Sequence, residues 1–309
     1  MATKDNEEGP ISENMQPRHV SATVLGIAQD GGRPQAGCVR QCCVDVHSDS
    51  SLHRSPVSLG VVGSDHSTHL FEATRKLASQ FETWFESDPE TGPLDTLWIS
   101  HAHLGHVDGL GLFGREVMGV SGLKLHCSNS FLQLMQATPA WNNLIQQGVF
   151  IPQVFSDKSI QPTIQSGFTI TPIRVPHRDE LSDTHAFLIS GPSKRLLFLP
   201  DHDSWQETLT LHGCESIEEW FSKLSVDIAL IDGTFWSLDE IPNRAVEEIP
   251  HPTVEETLQR LDNKKIHDVR IIFFHLNHTN PLHRRSSKEY QKVIEAGWEV
   301  AHEGMTLQL

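Results

Sequence analysis

Hydrophobic residues are gathered along this chain into short runs, and turn-forming residues bound each run. Apolar runs of this kind, about six to eight residues long and rich in valine, isoleucine and phenylalanine, are typical of buried or half-buried β-strands. Nine segments have this pattern: SATVLGIA, VSLGVVG, DTLWIS, LKLHCS, FTITPIRV, HAFLIS, RLLFLP, VDIALID and VRIIFF. The sequence therefore predicts a protein rich in β-sheet.

Helix candidates lie between these strands. EATRKLASQFETWFES places Leu77, Phe81 and Trp84 at helical spacing, which predicts an amphipathic helix. SNSFLQLMQA, SIEEWFSKL and PTVEETLQRL are further candidates, and Ser216 and Thr253 are suited to cap the last two, ahead of acidic residues. Because strands and helices alternate, the pattern predicts a layered α/β domain, either a doubly wound sheet or a four-layer sandwich.

The length and the N-terminus bear on domain organisation. Residues 1–20 are polar and contain Pro10 and Pro17, which predicts a disordered leader. The remaining residues, 21–309, are expected to form a single domain. No apolar run approaches the roughly 20 residues of a membrane span, and MATKDNEEGP lacks the charged-then-apolar order of a signal peptide. We therefore expect a cytoplasmic protein that has no membrane partner.

The charge balance narrows the class of partner. The chain carries 24 Lys and Arg against 40 Asp and Glu, a formal net charge of −16. Phosphate backbones are bound by clustered cations, so this balance argues against a nucleic-acid partner. A small-molecule substrate is expected instead, and the sequence leaves the oligomeric state open.

The histidines indicate a metal site, because the chain contains 19 of them and three fall within six residues. In DTLWISHAHLGHVDGLG an apolar strand runs directly into His101, His103 and His106. The two-residue spacing points His101 and His103 to the same side of an extended segment, and His106 reaches the same place from the following helix. Neutral imidazoles suit zinc or iron.

SHAHLGHVDGL resembles the HxHxDH signature of the metallo-β-lactamase superfamily. This resemblance implies a four-layer αββα sandwich, with His101 and His103 on one metal ion and His106 on a second. One position departs from the signature, since Gly105 stands where the superfamily has Asp. Losing that anionic ligand is expected to weaken the second site. Asp108 lies beyond His106 and is expected to cap or solvate the helix start instead.

Later motifs follow the order of the same superfamily. By this resemblance His177, after ITPIRV, completes the first site, and Asp201, in RLLFLPD, bridges toward the second metal and serves the catalytic step. The end of VRIIFFHLNH offers two histidines for the last ligand position, His275 and His278. His278 is preferred, as the partner of His106.

Three residues, together with His275, are candidates for the surroundings of this site. His202 follows Asp201 directly and is expected to support a ligand from behind. Asp232 and Trp236 belong to IDGTFW, at the end of a predicted strand, where α/β proteins often place functional groups. They are candidates either for a pocket lining or for a structural turn with aromatic packing.

A narrower resemblance covers nearly the whole ordered chain. IDGTFW, HLNHTNP, GWEVAHEGMTLQL and GGRPQAGCVRQCC resemble the pyrroloquinoline quinone biosynthesis protein B family. It implies a structural zinc held by Cys38, Cys42 and Cys43 with a histidine as fourth ligand, and His47 and His283 are candidates for that ligand. Free or buried thiols are the alternative.

Metal-assisted hydrolysis is the expected activity, on one or two ions of zinc, with iron or manganese as alternatives. Asp201 would orient the attacking water or take its proton. An anionic ester or phosphodiester would suit the nearby cationic side chains, Arg174, Arg178 and Arg284. Two other functions stay open, a mononuclear iron-dependent oxygenase related to the quinone-pathway protein and a non-catalytic metal-stabilised binding protein.

Overall fold

The computed structural model describes residues 19–240, 250–261 and 268–309. Most of the predicted leader, residues 1–18, lies outside the described residues. Val20 is buried, and its carbonyl accepts a hydrogen bond from the amide of Leu309. The two ends of the described chain therefore meet in the core.

The strands form two mixed sheets. One has seven strands in the order β13-β1-β2-β3-β4-β5-β6, and the other has six in the order β12-β11-β10-β9-β8-β7. The strands are β1 (Ser21–Gly26), β2 (Ser58–Val62), β3 (Thr68–Phe71), β4 (Leu94–Trp98), β5 (Leu123–Cys127), β6 (Phe150–Val154), β7 (Thr169–Val175), β8 (Thr184–Ser190), β9 (Arg195–Leu199), β10 (Ile228–Asp232), β11 (Arg270–Phe274), β12 (Glu299–Val300) and β13 (Thr306–Gln308).

Alternate residues of each strand enter different hydrophobic layers. On β11, Ile272 and Phe274 pack into the core between the two sheets. Ile271 and Phe273 pack on the opposite face, under the helices that cover the six-stranded sheet. A third core separates the seven-stranded sheet from its own helices. The predicted four-layer αββα sandwich is confirmed.

The helices cover the outer faces of both sheets. They are α1 (Gln41–Val44), α2 (Leu77–Ser87), α3 (Leu104–Val107), α4 (Asn129–Ala137), α5 (Pro139–Gln146), α6 (Trp205–His212), α7 (Ile217–Leu224), α8 (Val254–Arg260) and α9 (Lys288–Glu295). The predicted caps are confirmed, since Ser216 accepts from the Glu219 amide and Thr253 from the Glu256 amide. Among the described residues, no helix is long and apolar enough to cross a membrane.

Helix α2 begins at Leu77, its first apolar position, five residues after the start of the predicted segment EATRKLASQFETWFES. Glu72 has a left-handed backbone (φ 70°), and the hydroxyl of Thr74 accepts a hydrogen bond from the Lys76 amide. These local bonds compete with helix formation over the first residues. The consequence is that Glu72 is fully buried behind the metal-site candidates, away from the helix surface.

The sequence pattern missed β3, β6, α5, α6, α9 and the two short C-terminal strands. Strand β3 is short and contains the polar residue His69, so its sequence does not resemble an apolar run. His69 is buried, with hydrogen bonds to Ser67 and Thr96. Strand β6 carries Pro152 and lies at the edge of its sheet, where proline is tolerated.

Most strands that lead into the site have at least one parallel neighbour, whereas β7 pairs with β8 in antiparallel orientation. Strand β4 is parallel to β3 and β5, and β10 is parallel to β9 and β11. In open α/β sheets, functional groups gather outside the carboxyl ends of such strands. The candidate histidines and aspartates follow the carboxyl ends of β4, β7, β9, β10 and β11.

Candidate metal centre

Four buried residues converge in a three-histidine cluster, defined as His101, His103, His177 and Asp201. The Nδ1 atom of His103 lies 3.0 Å from Nε2 of His101 and 3.0 Å from Nε2 of His177. The carboxylate of Asp201 lies 3.4 Å from His101 Nε2 and 3.3 Å from His177 Nε2. The sequence assigns His101, His103 and His177 to the first metal and Asp201 to a bridge toward the second, and the structure brings these four residues together.

Hydrogen bonds behind the cluster fix the direction of each imidazole. Every histidine turns one ring nitrogen inward and keeps the other bonded to a neighbour, the arrangement that orients metal-binding histidines. The outer pairs are His177 Nδ1 with Asp203 Oδ1 at 2.9 Å, His103 Nε2 with Glu180 Oε1 at 3.2 Å, and His101 Nδ1 with Ser100 Oγ at 2.9 Å.

The protonation states also suit metal binding. Burial lowers the pKa of His101 well below its ordinary value and lowers the pKa of His103 as well. Burial opposes ionisation of Asp201, but the surrounding histidines outweigh it and hold its pKa well below the usual range. Both histidines are therefore neutral and Asp201 is charged at neutral pH, as metal ligands must be.

A second cluster, defined as Asp30, His106 and His275, lies on the other side of Asp201. Oδ2 of Asp201 is 3.4 Å from Nε2 of His106 and 3.8 Å from Nε2 of His275. Because the same carboxylate also contacts His101 and His177, Asp201 lies between the two clusters. We call both clusters together the strand-end centre.

The histidines of the second cluster are held from behind as well. Nδ1 of His275 is 2.8 Å from the hydroxyl of Thr234, which in turn donates to Asp232, so His275 donates through Nδ1 and keeps Nε2 free. Nδ1 of His106 lies 3.6 Å from the buried carboxylate of Glu72.

The strand-end centre fits a bound cation. Within the described residues, Nε2 of His106, Nε2 of His275 and Oδ1 of Asp201 are buried and have no hydrogen-bond partner. Buried polar atoms are nearly always satisfied by protein, water or an ion. Imidazole nitrogens and carboxylate oxygens are the donor set of zinc, iron and manganese sites.

His278 does not join His106, so this part of the prediction is wrong. His275 follows β11 with a left-handed backbone (φ 57°) and faces the strand-end centre. Three residues later the chain has turned away, and Nδ1 of His278 lies 3.3 Å from Sγ of Cys43 and 3.5 Å from Sγ of Cys42.

His278 instead completes a cysteine cluster, defined as Cys38, Cys42, Cys43 and His278. Sγ of Cys38 lies 3.6 Å from Sγ of Cys42. The other two candidates for a fourth ligand are bonded to backbone carbonyls through Nε2, His47 to that of Cys38 and His283 to that of Asn277. Three sulfurs and one imidazole form the donor set of a structural zinc site.

The residues predicted to line a pocket are buried in the structure. Asp232 is fully buried and accepts hydrogen bonds from the Thr234 amide at 2.9 Å and from Nδ1 of His251 at 2.8 Å. Trp236 packs in the core beneath the helices of the six-stranded sheet, so it is not a pocket residue. His202 is also fully buried, with Nδ1 2.9 Å from the Thr208 hydroxyl.

Of the three candidate arginines, Arg178 lies beside the strand-end centre, with Nη2 3.5 Å from Nδ1 of His103. Arg174 pairs with Asp179. Arg284 reaches the carbonyl of Gln41, near the cysteine cluster. A cationic group therefore borders the three-histidine cluster.

Sequence reasoning missed several residues of the centre. Asp30 comes from the Gly-rich QDGGRP loop, which carries no metal motif. His251 precedes a proline and contacts Asp201 (3.2 Å) and Asp232, yet an isolated histidine in a loop has no recognisable signal. Asp203 could have been predicted most easily, because it lies two residues after Asp201.

Comparisons with known proteins are consistent with this geometry. A protein-family model described as the beta-lactamase superfamily domain matches residues 69–286. Coenzyme PQQ synthesis protein B of Xanthomonas oryzae pv. oryzae (strain MAFF 311018) is 26% identical over 304 residues, 93% of this chain and 99% of that protein. The crystal structure of zinc-bound PqqB from Methylobacterium extorquens has a TM-score of 0.75 and 20% identity, covering 94% of this chain and all of that one. A diphosphatase of the PhnP family follows, with a TM-score of 0.66 and 18% identity over 94% of this chain and 97% of that one.

Proposed function

This chain belongs to the metallo-β-lactamase superfamily, and we propose that it is a metal-dependent hydrolase of a small anionic ester or phosphodiester. The observation that carries the proposal is the position of Asp201, whose two carboxylate oxygens face histidines of both clusters. Such an arrangement suits one or two ions that share a carboxylate next to an activated water.

His101, His103 and His177 would hold one ion, and Asp201 would contribute to it and to its neighbour. Bound zinc or manganese would lower the pKa of water and polarise the scissile group. Asp201 would accept the proton of the attacking water, whose oxygen bonds to the phosphorus or carbonyl carbon while the bond to the ester oxygen breaks. The leaving oxygen takes up a proton, so the products are an acid and an alcohol.

Arg178 would select for an anion. Its guanidinium borders the three-histidine cluster and its side chain is about one-third exposed (31%), so it can contact both the site and an incoming ligand. Guanidinium groups pair with phosphate or carboxylate oxygens by charge-assisted hydrogen bonds. The PhnP-family diphosphatase with the same fold supports a phosphate-containing substrate.

An iron-dependent oxygenase is the second candidate function. It is favoured by Gly105, because a histidine motif without a carboxylate at this position binds a second ion less well, which suits a mononuclear centre. An oxygenase needs a mononuclear iron centre with open positions. The two-sided position of Asp201 suits a pair of ions better, so we place the hydrolase first.

One experiment separates these functions. The protein is purified without chelator or affinity metal, its metals are quantified by element, and it is assayed under argon and in air against bis(p-nitrophenyl) phosphate and p-nitrophenyl acetate. The hydrolase predicts zinc or manganese and turnover that does not depend on oxygen. Iron as the bound metal with no hydrolysis of either ester would favour the oxygenase, whereas bound zinc or manganese without hydrolysis would favour a binding protein.

A further inference from the structure

We propose that Asp30 is a metal ligand, which supplies from the loop after β1 the carboxylate that the histidine motif lacks at Gly105. The proposal rests on the two-ion arrangement of the proposed function, but it concerns metal binding and not the reaction. It assigns a role to a residue outside the histidine motif.

The space around Gly105 gives the first reason. A Cβ atom built on Gly105 would lie 2.4 Å from both Cα and Cβ of Asp30 and 2.3 Å from its Oδ1. Contacts with a backbone atom at this distance cannot be relieved by a side-chain rotation. Asp30 therefore fills the volume in which a side chain at position 105 would begin, and the two carboxylates are alternatives.

The direction of the Asp30 carboxylate gives the second reason. Its Oδ1 lies 3.4 Å from Nε2 of His106 and 4.0 Å from Nε2 of His275. Both histidines are fully buried, and neither Nε2 atom has a hydrogen-bond partner within the described residues. Asp30, His106 and His275 thus form one group of potential ligands, and Oδ2 of Asp201 lies 3.4 Å from the same His106 Nε2 as a fourth nearby donor. Imidazole nitrogens and carboxylate oxygens of this kind bind divalent ions.

The backbone holds Asp30 at this position. The amide of Gln29 donates to the Leu276 carbonyl at 2.9 Å, and the amide of Leu276 donates to the Ile27 carbonyl at 2.7 Å. Gly32 closes the turn with a left-handed backbone (φ 66°) and an amide that donates to Gln29. The Asp30 loop is thus tied to the residue that directly follows His275.

Asp108, the other carboxylate close to the motif, has a different partner. It pairs with the guanidinium of Arg75 and is not a member of either cluster. It lies two residues from His106 in the sequence, so it provides a matched control for the loss of one nearby negative charge.

Mn²⁺ binding distinguishes a ligand from a simple ion-pair partner of His106. Manganese is chosen because it prefers oxygen and nitrogen donors over the sulfurs of the cysteine cluster. The chelator-stripped full-length protein is reloaded with Mn²⁺, and bound ions are followed by equilibrium titration and by the electron paramagnetic resonance of a coupled manganese pair.

Wild type and Asp108→Asn should bind two ions and give the coupled signal. Asp30→Asn should keep one ion, lose the coupled signal, and bind the second at least about 100-fold more weakly, because replacing even outer partners of ligands costs 10–100-fold. Asp30→Glu keeps a carboxylate and should retain the pair with reduced affinity. Circular dichroism verifies that each variant is folded.

Unchanged binding of the second ion by Asp30→Asn would overturn the proposal and leave Asp30 as an ion-pair partner. A wild type that binds a single manganese ion would also overturn it, although a one-ion hydrolase would still stand. Conversely, a wild type that binds the coupled pair but hydrolyses nothing would refute the proposed function while the role of Asp30 survives.

Discussion

The strand-end centre and the cysteine cluster are both buried groups of metal-type ligands, but they are built differently. The former collects nitrogen and oxygen ligands from segments that follow five strands, among them the partly exposed Asp30, and it borders Arg178. The latter takes its three sulfurs from one six-residue stretch and closes the set with His278. Mixed ligands beside an opening suit a reactive ion, whereas four closed ligands suit a structural one. Partners, not residue type, decide the role of a histidine.

The largest expected effect is on the reactive side of this comparison. His103→Ala removes a ligand from the middle of the three-histidine cluster, where Nδ1 of His103 lies 3.0 Å from two other imidazole nitrogens. Turnover should fall below about one per cent of wild type, beyond the 10–100-fold effect of losing an outer partner. Elemental analysis should find the catalytic metal gone and the zinc of the cysteine cluster retained.

A His103→Ala protein with unchanged metal content and activity would refute the site. The melting temperature serves as a control, because the three hydrophobic cores do not include His103. It should stay within a few degrees of wild type once both proteins are stripped of metal.

The next effect is on the structural side. Cys43→Ser removes a fully buried sulfur that contacts His278, and it should release one zinc ion and destabilise the fold by several kcal/mol. Structural zinc contributes apparent binding energies on the order of 10 kcal/mol, of which a folded domain loses only part. Thermal unfolding and zinc content are measured together.

Cys214→Ser is the matched control for Cys43→Ser. Cys214 is also buried, but it packs in the hydrophobic core and lies outside every metal-type cluster of the described residues. The Cys214→Ser protein should keep the zinc of the cysteine cluster. Equal zinc loss in both variants, or in neither, would remove the cysteine cluster from consideration as a metal site.

A smaller effect tests the hydrogen bonds behind the three-histidine cluster. Asp203→Asn weakens the acceptor of His177 Nδ1, so metal affinity of this cluster should fall about 10–100-fold in competition with a chelator. Glu180→Gln alters the corresponding partner of His103, but Glu180 is 52% exposed against 21% for Asp203. Because water can replace the Glu180 carboxylate, Glu180→Gln should lower the metal affinity less than Asp203→Asn does. A larger loss of affinity in Glu180→Gln would contradict this ranking of the two partners.

The smallest effect concerns a carboxylate that belongs neither to the strand-end centre nor to the cysteine cluster. Glu303 accepts a hydrogen bond from the Ser55 amide at 2.5 Å, and burial raises its pKa from 4.5 to about 7. Between these values the folded protein holds a proton that the unfolded chain has released. The stability linked to this group is therefore fully present below about pH 4.5 and lost as the pH rises to about 7.

Glu303→Gln removes this titration and should raise the free energy of unfolding at pH 8 by about 1 kcal/mol. This value is already reduced to allow for solvent screening at a partly exposed group. Urea denaturation at pH 4 and pH 8 gives the comparison, with a gain expected at pH 8 alone. Glu299→Gln is the control of opposite sign, because hydrogen bonds from Arg270 lower the pKa of Glu299. A gain at pH 8 in the control would contradict this assignment.

The sequence predicts the layers better than the ligands. Leu97 and Trp98 lie in two different cores, on opposite faces of β4. This alternation of side chains along a strand has a two-residue period that can be predicted from the sequence. Local spacing likewise brings His101 and His103 together, because two residues on one extended segment share a side. The cores and the pair His101 and His103 could therefore be predicted from the pattern, whereas His177 and Asp201 are assigned by the family resemblance.

The second cluster could not be predicted from local spacing, since its members come from distant segments. The sequence does not distinguish His275 from His278, and in the structure the backbone is left-handed at His275. Asp30 lies 76 residues before His106, and a carboxylate after a strand is common without a metal. Long-range packing, which no local pattern encodes, decides these ligands.

The segment that contains His275 and His278 gives one residue to each of the two centres. Leu276, between them, is fully buried and hydrogen-bonded on both sides to the stretch that leads from β1 through Asp30 toward the cysteines. An ion bound at either centre would therefore restrain the same two backbone stretches that contribute ligands to the other centre. If zinc at the cysteine cluster preorganises His275 and Asp30, it strengthens ion binding at the strand-end centre. By thermodynamic reciprocity, an ion at the strand-end centre then strengthens zinc binding at the cysteine cluster by the same factor. Thiol oxidation would thus act at a distance on the reactive centre.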